Sequence, residues 1–223
     1  MFTVHALQTP PDEALESQVT ELVINNLTDI SAVAIAPSNP LYPLYQYGVG
    51  HEVHQYLQTI GGSGEVTAEL LVALDADQRL QGFALYLPVK GDDQACALTY
   101  LAVDARHRRQ GIARALLGEM TRRYPHAELA CVVSRVPWFR RLGFQVLGAR
   151  GSHVWMNTRD QGTDGRVAVL DVAPIYRSLE VRQIHAYLLK QHGKRAMVDA
   201  EKHRDRHLDQ LARQARAFVQ AQG

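Results

Sequence analysis

Between Val103 and Leu117 the chain reads VDARHRRQGIARALL. An apolar run ends at Val103, a cluster of arginines follows, and helical periodicity begins near Gly111. These residue types at this spacing suit the holding of an anion. A helix start leaves backbone N–H groups without partners and carries the positive end of the helix dipole. Gly111 lets a backbone approach a ligand with no Cβ in the way, and Ala113 is nearly as small. Arg108 and Arg109 add charge beside them. Together these are the parts of a diphosphate cradle. A surface turn with solvated arginines is the competing reading of the same residues. A second stretch, HEVH at 51–54, raises the question of a metal. The zinc-protease pattern needs histidines four apart on one helix face. His51 and His54 are three apart, and no third ligand stands out, so no metal site is assigned.

The elements that must position the arginine turn are legible around it. MFTVHAL reads as a first strand. PDEALESQVTELVINNL reads as a helix, with Leu15, Val19, Leu22, Val23 and Leu27 at helical spacing and acids at its start. SNPLYPLYQYGVG, rich in Pro, Gly and Tyr, reads as a loop. HEVHQYLQTI reads as a short helix ended by GGSG. EVTAELLVALD and RLQGFALYLPV are joined by DADQ and predict a hairpin. ACALTYLAV is the strand that delivers the turn. GIARALLGEMTRRY is amphipathic, with Ile112, Ala115, Leu116 and Met120 on one side. ELACVVS, the short helix VPWFRRL, then FQVLGA and HVWMNT complete the series. Hairpin strands followed by strand–helix–strand alternation predict a mixed α/β fold. From about Asp160 the character changes. QGTDG reads as a linker, and two charged helices follow. This divides the chain into a domain over 1–159 and a helical C-terminal extension over 160–223. In the last helix Leu208, Leu211, Ala215 and Phe218 form a narrow apolar seam. The seam serves either packing on the protein's own domain or a dimer or partner contact.

Composition bounds the rest. The chain has 223 residues, 46% of them hydrophobic and 21% charged, as in a soluble globular protein. No apolar run is long enough to span a bilayer, so no membrane association is expected. The opening MFTVHALQTPPDEALE has no basic region and is not read as a signal peptide. Cys96 and Cys131 lack disulfide or metal-site spacing, which suits a reducing, cytoplasmic setting. The net charge of +1 hides a split. Residues 1–78 contain ten acidic residues and no Lys or Arg, 79–159 carry +8, and 160–223 carry +3. One reading is a solvated acidic surface. The other is an anionic wall for a cationic substrate beside a basic wall for an anionic cofactor. Basic residues in the tail alternate with aspartates and lack aromatic interleaving, so no nucleic-acid partner is assigned.

Taken with its neighbours, the opening stretch resembles the acetyl-CoA signature of the GNAT family, the Gcn5-related N-acetyltransferases. That signature is Arg/Gln-x-x-Gly-x-Gly/Ala after the cofactor strand, here Arg108-x-x-Gly111-x-Ala113 with Val103 as the preceding hydrophobic residue. WFRRLGF resembles the family's recurrent FYEKLGF, and LQGFALYL resembles the strand before the cofactor strand. The resemblance covers roughly residues 1–158, and is strongest over 79–157. It implies the GNAT acyl-CoA N-acyltransferase fold, with a central twisted mixed sheet flanked by helices. It implies acetyl-CoA as acyl donor. The backbones of Leu101 and Val103 would pair with the pantetheine arm. The backbone from Arg109 through Gln110, Gly111, Ile112 and Ala113 would hold the diphosphate, with Arg108 at the motif's first position. Ser134 would lie close to the cofactor in the gap between the strands LTYLAV and ELACVVS.

The pattern also departs from the family. Where the family often has a tyrosine that protonates the leaving thiolate, this chain has Phe139. Tyr100, Ser134 or a water would have to substitute, and Tyr100 is the first choice, with a packed strand aromatic as its alternative role. The cofactor strand lacks the glutamate that some members use as general base. Glu65, Glu69, His51, His54 and Asp104 are candidates, and none is singled out by spacing. The expected activity is acetyl transfer from acetyl-CoA to a primary amine, direct and within a ternary complex, with a cationic acceptor on the acidic side lined by the Tyr-rich segment 41–48. Two alternatives stand beside it. One is a catalytically weak CoA-binding protein that acts through partner binding by its C-terminal helices. The other is a protein acetyltransferase, acting on lysine or N-terminal amines.

Overall fold

The computed structural model describes residues 1–33, 35–163 and 165–222. Its centre is one mixed sheet. β1 (Thr3–Ala6), β2 (Glu69–Leu74), β3 (Leu80–Lys90) and β4 (Ala95–Val103) pair antiparallel in that order. β5 (His126–Cys131) then runs parallel to β4, and β7 (His153–Asn157) and β6 (Gln145–Arg150) continue antiparallel beyond it. A short β8 (Arg166–Val167) pairs with the end of β3. The helices are α1 (Glu13–Asn25), α2 (Leu27–Ile30), α3 (Tyr42–Leu57), α4 (Ile112–Arg123), α5 (Val136–Arg140), α6 (Ala173–Tyr176) and α7 (Leu179–Gln220). This is the mixed α/β arrangement that the order of sequence elements predicts.

The two faces of the sheet build two cores. Val72, Phe83, Leu85, Tyr100 and Ala102 meet α1, α2 and α3 on one side. Leu71, Ala84, Tyr86 and Cys96 meet α4, with Ile112, Leu116 and Met120, on the other. α1 starts where Asp12 accepts a hydrogen bond from the Leu15 N–H (2.9 Å), with Glu13 and Glu16 in its first turn. Capping and charge both favour that start. α4 places Arg122 and Arg123 in its last turn, as the dipole prefers.

Two readings of the sequence are corrected here. The stretch expected to be a loop at 38–50 is helical from Tyr42 onward and joins HEVHQYL as the single helix α3. Pro43 sits in the first turn, where its missing N–H costs nothing. Gly48, which argues for a loop by composition, is a packing site: a Cβ there would fall 2.6 Å from the Tyr176 hydroxyl. The strand expected over ELACVVS stops at Cys131, and Val133–Arg135 form a 3₁₀ turn leading into α5. The linker QGTDG includes Asp164, which lies outside the described residues.

α7 begins at Ser178, which accepts from the Val181 N–H (3.3 Å), and is broken at Gly193, whose φ of 80° is not helical. Its second part packs along β6 and β7. Met197 and Ala200 enter the first core, while Ala215, Phe218 and Val219 enter the second. The apolar seam is thus used on the protein's own sheet. Among the described residues no helix is long and apolar enough to cross a membrane.

Candidate active site

β4 and β5 are in register only at their beginnings, Ala95 opposite His126 through Ala97 opposite Glu128. Beyond that they separate. On the other edge of β4 the register against β3 shifts at Thr99, since Leu85 faces Tyr100 while Tyr86 faces Leu98. Such a bulge bends a strand and increases its twist. The result is a cleft of about 740 Å³ between the two strands, floored by Leu98, Thr99 and Leu101 on one side and Leu129 to Val132 on the other. The edge of β4 from Leu98 to Val103 is free of a strand partner on the β5 side, so its backbone groups are available to an extended ligand.

The cleft runs to the start of α4. Gly111 precedes that helix with φ 85°, and nothing stands within 4 Å of where its Cβ would be. The open volume therefore sits directly against unpaired helix N–H groups. Arg109 also has positive φ, 65°, which tightens the turn. α4 is held in place from below. Gly82 on β3 lets the fully buried Ile112 approach, and a Cβ at 82 would lie 3.0 Å from the Ile112 Cγ2.

Most of the residues expected at this site line the cleft: Leu101, Val103, Arg108, Arg109, Gly111, Ile112, Ala113, Ser134 and Phe139. Ile112 points its side chain into the core, so only its backbone faces the ligand side. Gln110 does not line the cleft, and its side chain folds back to the Arg106 carbonyl (3.4 Å). Phe139 stacks edge-on between Trp138 and Phe144, with ring centroids 4.7 and 5.8 Å away.

Tyr100 is a correction. It does not line the cleft but points to the opposite face of the sheet, 7% exposed in the first core. The register shift at Thr99 breaks the alternation along β4, so Tyr100 does not share a face with Leu98. Burial and the nearby Glu52 carboxylate hold its phenol well above the usual range, so it is a poor proton donor. The candidate bases also lie elsewhere, for none of them lines the cleft. Glu69 is bound by the Tyr86 hydroxyl (2.9 Å), the Tyr124 hydroxyl and Arg123 (3.1 Å). Asp104 is held by Arg106, whose hydrogen bonds lower its carboxyl to about 2. His54 pairs with Glu16, His51 stacks on Tyr47, and Glu65 is exposed. Among the described residues no group of three or more His, Cys, Asp and Glu could hold a metal ion.

Several cleft residues escape sequence reasoning because they come from distant segments. Asp29 on α2 reaches both walls, bonding Arg108 (3.1 Å) and Arg135 (2.8 Å). Arg108 also donates to the Asn26 side chain. His153 at the start of β7 and His207 and Leu211 of α7 close the far side. Burial lowers the His153 imidazole, favouring its neutral form, and raises the Cys131 thiol to about 12.

Comparisons with known proteins agree with this architecture. Residues 67–146, from the approach to β2 into β6, match the model of the acetyltransferase (GNAT) domain. A structure from Corynebacterium glutamicum ATCC 13032, named histone acetyltransferase HPA2 and related acetyltransferase, superposes with a TM-score of 0.53. It is 17% identical and covers 73% of this chain and 99% of that one. A PaiA N-acetyltransferase from Thermoplasma acidophilum, in complex with coenzyme A, gives 0.52 at 14% identity, over 70% of this chain and 99% of that one. Nourseothricin acetyltransferase is 22% identical over 40% of this chain and 64% of its own length, with a TM-score of 0.36. No curated protein matches the chain. At these identities the first two superpositions speak for the fold alone, and the family model covers the segment that builds the cleft. Over residues 67–146 the chain is thus similar to the acetyltransferase (GNAT) domain.

Proposed function

We propose that the protein is an acetyl-CoA-dependent N-acetyltransferase that moves an acetyl group to a primary amine, with a cationic acceptor, in a ternary complex. The observation that carries this reading is the parting of β4 and β5 into a cleft that ends on the open helix start at Gly111. An extended arm fits between the strands, with the backbones of Leu101 and Val103 as its partners. A diphosphate fits against the amides of residues 109–113, where the helix dipole and Arg108 favour negative charge. Phe139 offers the thioester end an apolar surface and no proton. Ser134 offers the hydroxyl on that side of the cleft. In the reaction the neutral amine nitrogen bonds to the thioester carbonyl carbon, the C–S bond breaks, the sulfur leaves as thiolate, and the proton lost by the nitrogen passes through water to that sulfur. A thiol is a fair leaving group, with pKa about 8.5, and positioning supplies most of the rate in such a scheme. Two free, buried cysteines support a reducing, cytoplasmic setting.

Calorimetry with acetyl-CoA tests the assignment, with Gly111→Glu as the contrast. Glutamate puts a side chain and a negative charge into the open volume at the helix start. The parent protein is expected to bind and the variant to lose binding by at least about tenfold, as expected for a misplaced charge at a helix terminus and a buried anion site. Failure of the parent protein to bind acetyl-CoA overturns the reading.

A further inference from the structure

On the face of β4 away from the cleft lies a second constellation. Glu52 and Tyr56 come from α3, Tyr100 from β4 and Tyr176 from α6. Glu52 sits one turn after Gly48 and one turn before Tyr56, on one side of α3. Tyr176 lies on that side too, its hydroxyl over Gly48. Its ring meets Tyr45 at 6.1 Å. The frame is fixed by bonds from distant parts of the chain. The Tyr56 hydroxyl accepts from the Leu170 N–H (3.2 Å), and the Tyr45 hydroxyl accepts from Arg204 (3.1 Å).

Within this frame Glu52 is partly buried, and among the described residues it makes no salt bridge. Arg204, the guanidinium bound to this cluster, is occupied by Tyr45 and by Asp205 (2.8 Å). The two histidines of α3 are engaged elsewhere, His51 on Tyr47 and His54 on Glu16. A desolvated carboxylate without a cation is costly, and its neighbours here are tyrosine hydroxyls, which carry no positive charge. Burial raises its pKa, and the Tyr100 hydroxyl partly offsets the rise by stabilising the charged form. Tyr100 ties the cluster to β4, the strand whose Leu98, Thr99 and Leu101 line the cleft.

We propose that Glu52, framed by Tyr56, Tyr100 and Tyr176, is the anchor for an ammonium group of the acceptor. This rests on the acetyltransfer reading. It also narrows the acceptor class. A nitrogen held as ammonium by a carboxylate has no lone pair with which to attack a thioester. The anchored nitrogen is therefore not the reacting one, and the acceptor carries at least two amino groups. C-terminal residues complete this site, through Tyr176 directly and through Leu170 and Arg204 by way of the tyrosines they hold.

The test uses 1,4-diaminobutane and n-butylamine, binding to the 223-residue chain with and without coenzyme A, followed by calorimetry. The parent protein is expected to prefer the diamine by about tenfold or more, as a charge-assisted contact implies. Glu52→Gln is expected to erase that preference. Gly48→Ala, which displaces the Tyr176 hydroxyl, is expected to reduce it. Coenzyme A affinity should stay within about twofold in both variants, since neither residue lines the cleft. Where turnover is measurable, Glu52→Gln should raise KM for the diamine and leave kcat and the monoamine nearly unchanged. Absence of a diamine preference in the parent protein, or its survival in Glu52→Gln, overturns the proposal. So does an equal loss of kcat for both amines, which would make Glu52 a base. Coenzyme A binding reads the acetyltransfer assignment independently. A diamine preference without coenzyme A binding would keep the cation site and sink the enzyme reading.

Discussion

Gly82→Ala tests whether the diphosphate cradle is held by packing beneath it. Gly82 lies in β3 opposite Val103. A Cβ there would stand 2.9 Å from the Ala102 carbonyl oxygen, 3.0 Å from the Ile112 Cγ2 and 3.1 Å from the Val103 Cγ2. The carbonyl belongs to the β3–β4 ladder and cannot withdraw. Ile112 is the first residue of α4 and 1% exposed, so relief has to come from a shift of the helix start by a few tenths of an ångström. Overpacking of this kind costs about 1–3 kcal/mol. Loss of a flexible glycine from the unfolded chain returns about 0.4–1 kcal/mol. The expected net loss is about 1–2 kcal/mol, read from urea denaturation at unchanged m-value. Because the helix start forms one end of the cleft, coenzyme A affinity should fall as well, by about three- to tenfold for 0.7–1.4 kcal/mol of misalignment. Gly118→Ala is the control. It lies exposed on the same helix with nothing within 4 Å of its Cβ position, and is expected to stabilise by about 0.8–1 kcal/mol. Full stability loss in Gly82→Ala with unaltered coenzyme A affinity would refute the argument. The helix start would then not be the part of the protein that the cofactor feels.

Three further outcomes are expected. Asp29→Asn frees Arg108 and Arg135 from their shared carboxylate. Coenzyme A should bind about two- to fivefold tighter at low salt, in keeping with 0.2–1 kcal/mol for partly exposed pairs, and the gain should shrink as salt rises; weaker binding at every salt concentration would show that Asp29 positions the arginines instead. Glu52 has its carboxyl raised above 4.5 in the folded protein. The folded state thus holds this proton more tightly than the unfolded chain, and stability falls as pH rises through that range. Glu52→Gln should therefore be more stable than the parent protein at pH 7, with the difference closing below about pH 4.5, and a difference that widens on acidification would contradict it. Cys131 lines the cleft with its thiol raised to about 12 by burial. Alkylation by iodoacetamide at pH 8 should be slow, and coenzyme A should slow it further; rapid labelling would show a more open cleft wall.

The strand–turn–helix from β4 to α4 was legible because its signals are local. An apolar run, an arginine cluster, one glycine and helical periodicity follow one another within fifteen residues, and no distant partner is needed to interpret them. α3 was hidden for the opposite reason. Its tyrosines, Pro43 and Gly48 have loop-like composition, and the value of Gly48 appears only when Tyr176 packs on it from more than a hundred residues away. The face that Tyr100 takes depends on the bulge at Thr99, which appears only in the register of β4 against β3. Glu52 drew no notice inside HEVH, where the histidines suggested a metal. Its meaning lies in its surroundings, a set of phenols and, among the described residues, no counter-cation, and those phenols come from three separate elements.

The course of α7 has a consequence for local stability. The helix enters one core with Met197 and Ala200, passes the cleft with His207 and Leu211, and enters the other core with Ala215 and Phe218. Its break at Gly193 gives the second part a natural point from which to detach as a cooperative unit. Any ligand that fills the cleft against His207 and Leu211 binds the attached form and not the detached one, so occupancy of the cleft is linked to the opening equilibrium of this helix. Slow amide exchange between residues 197 and 218 is then a property the protein acquires from its ligand, and the C-terminal helix becomes a reporter of whether the cleft is full.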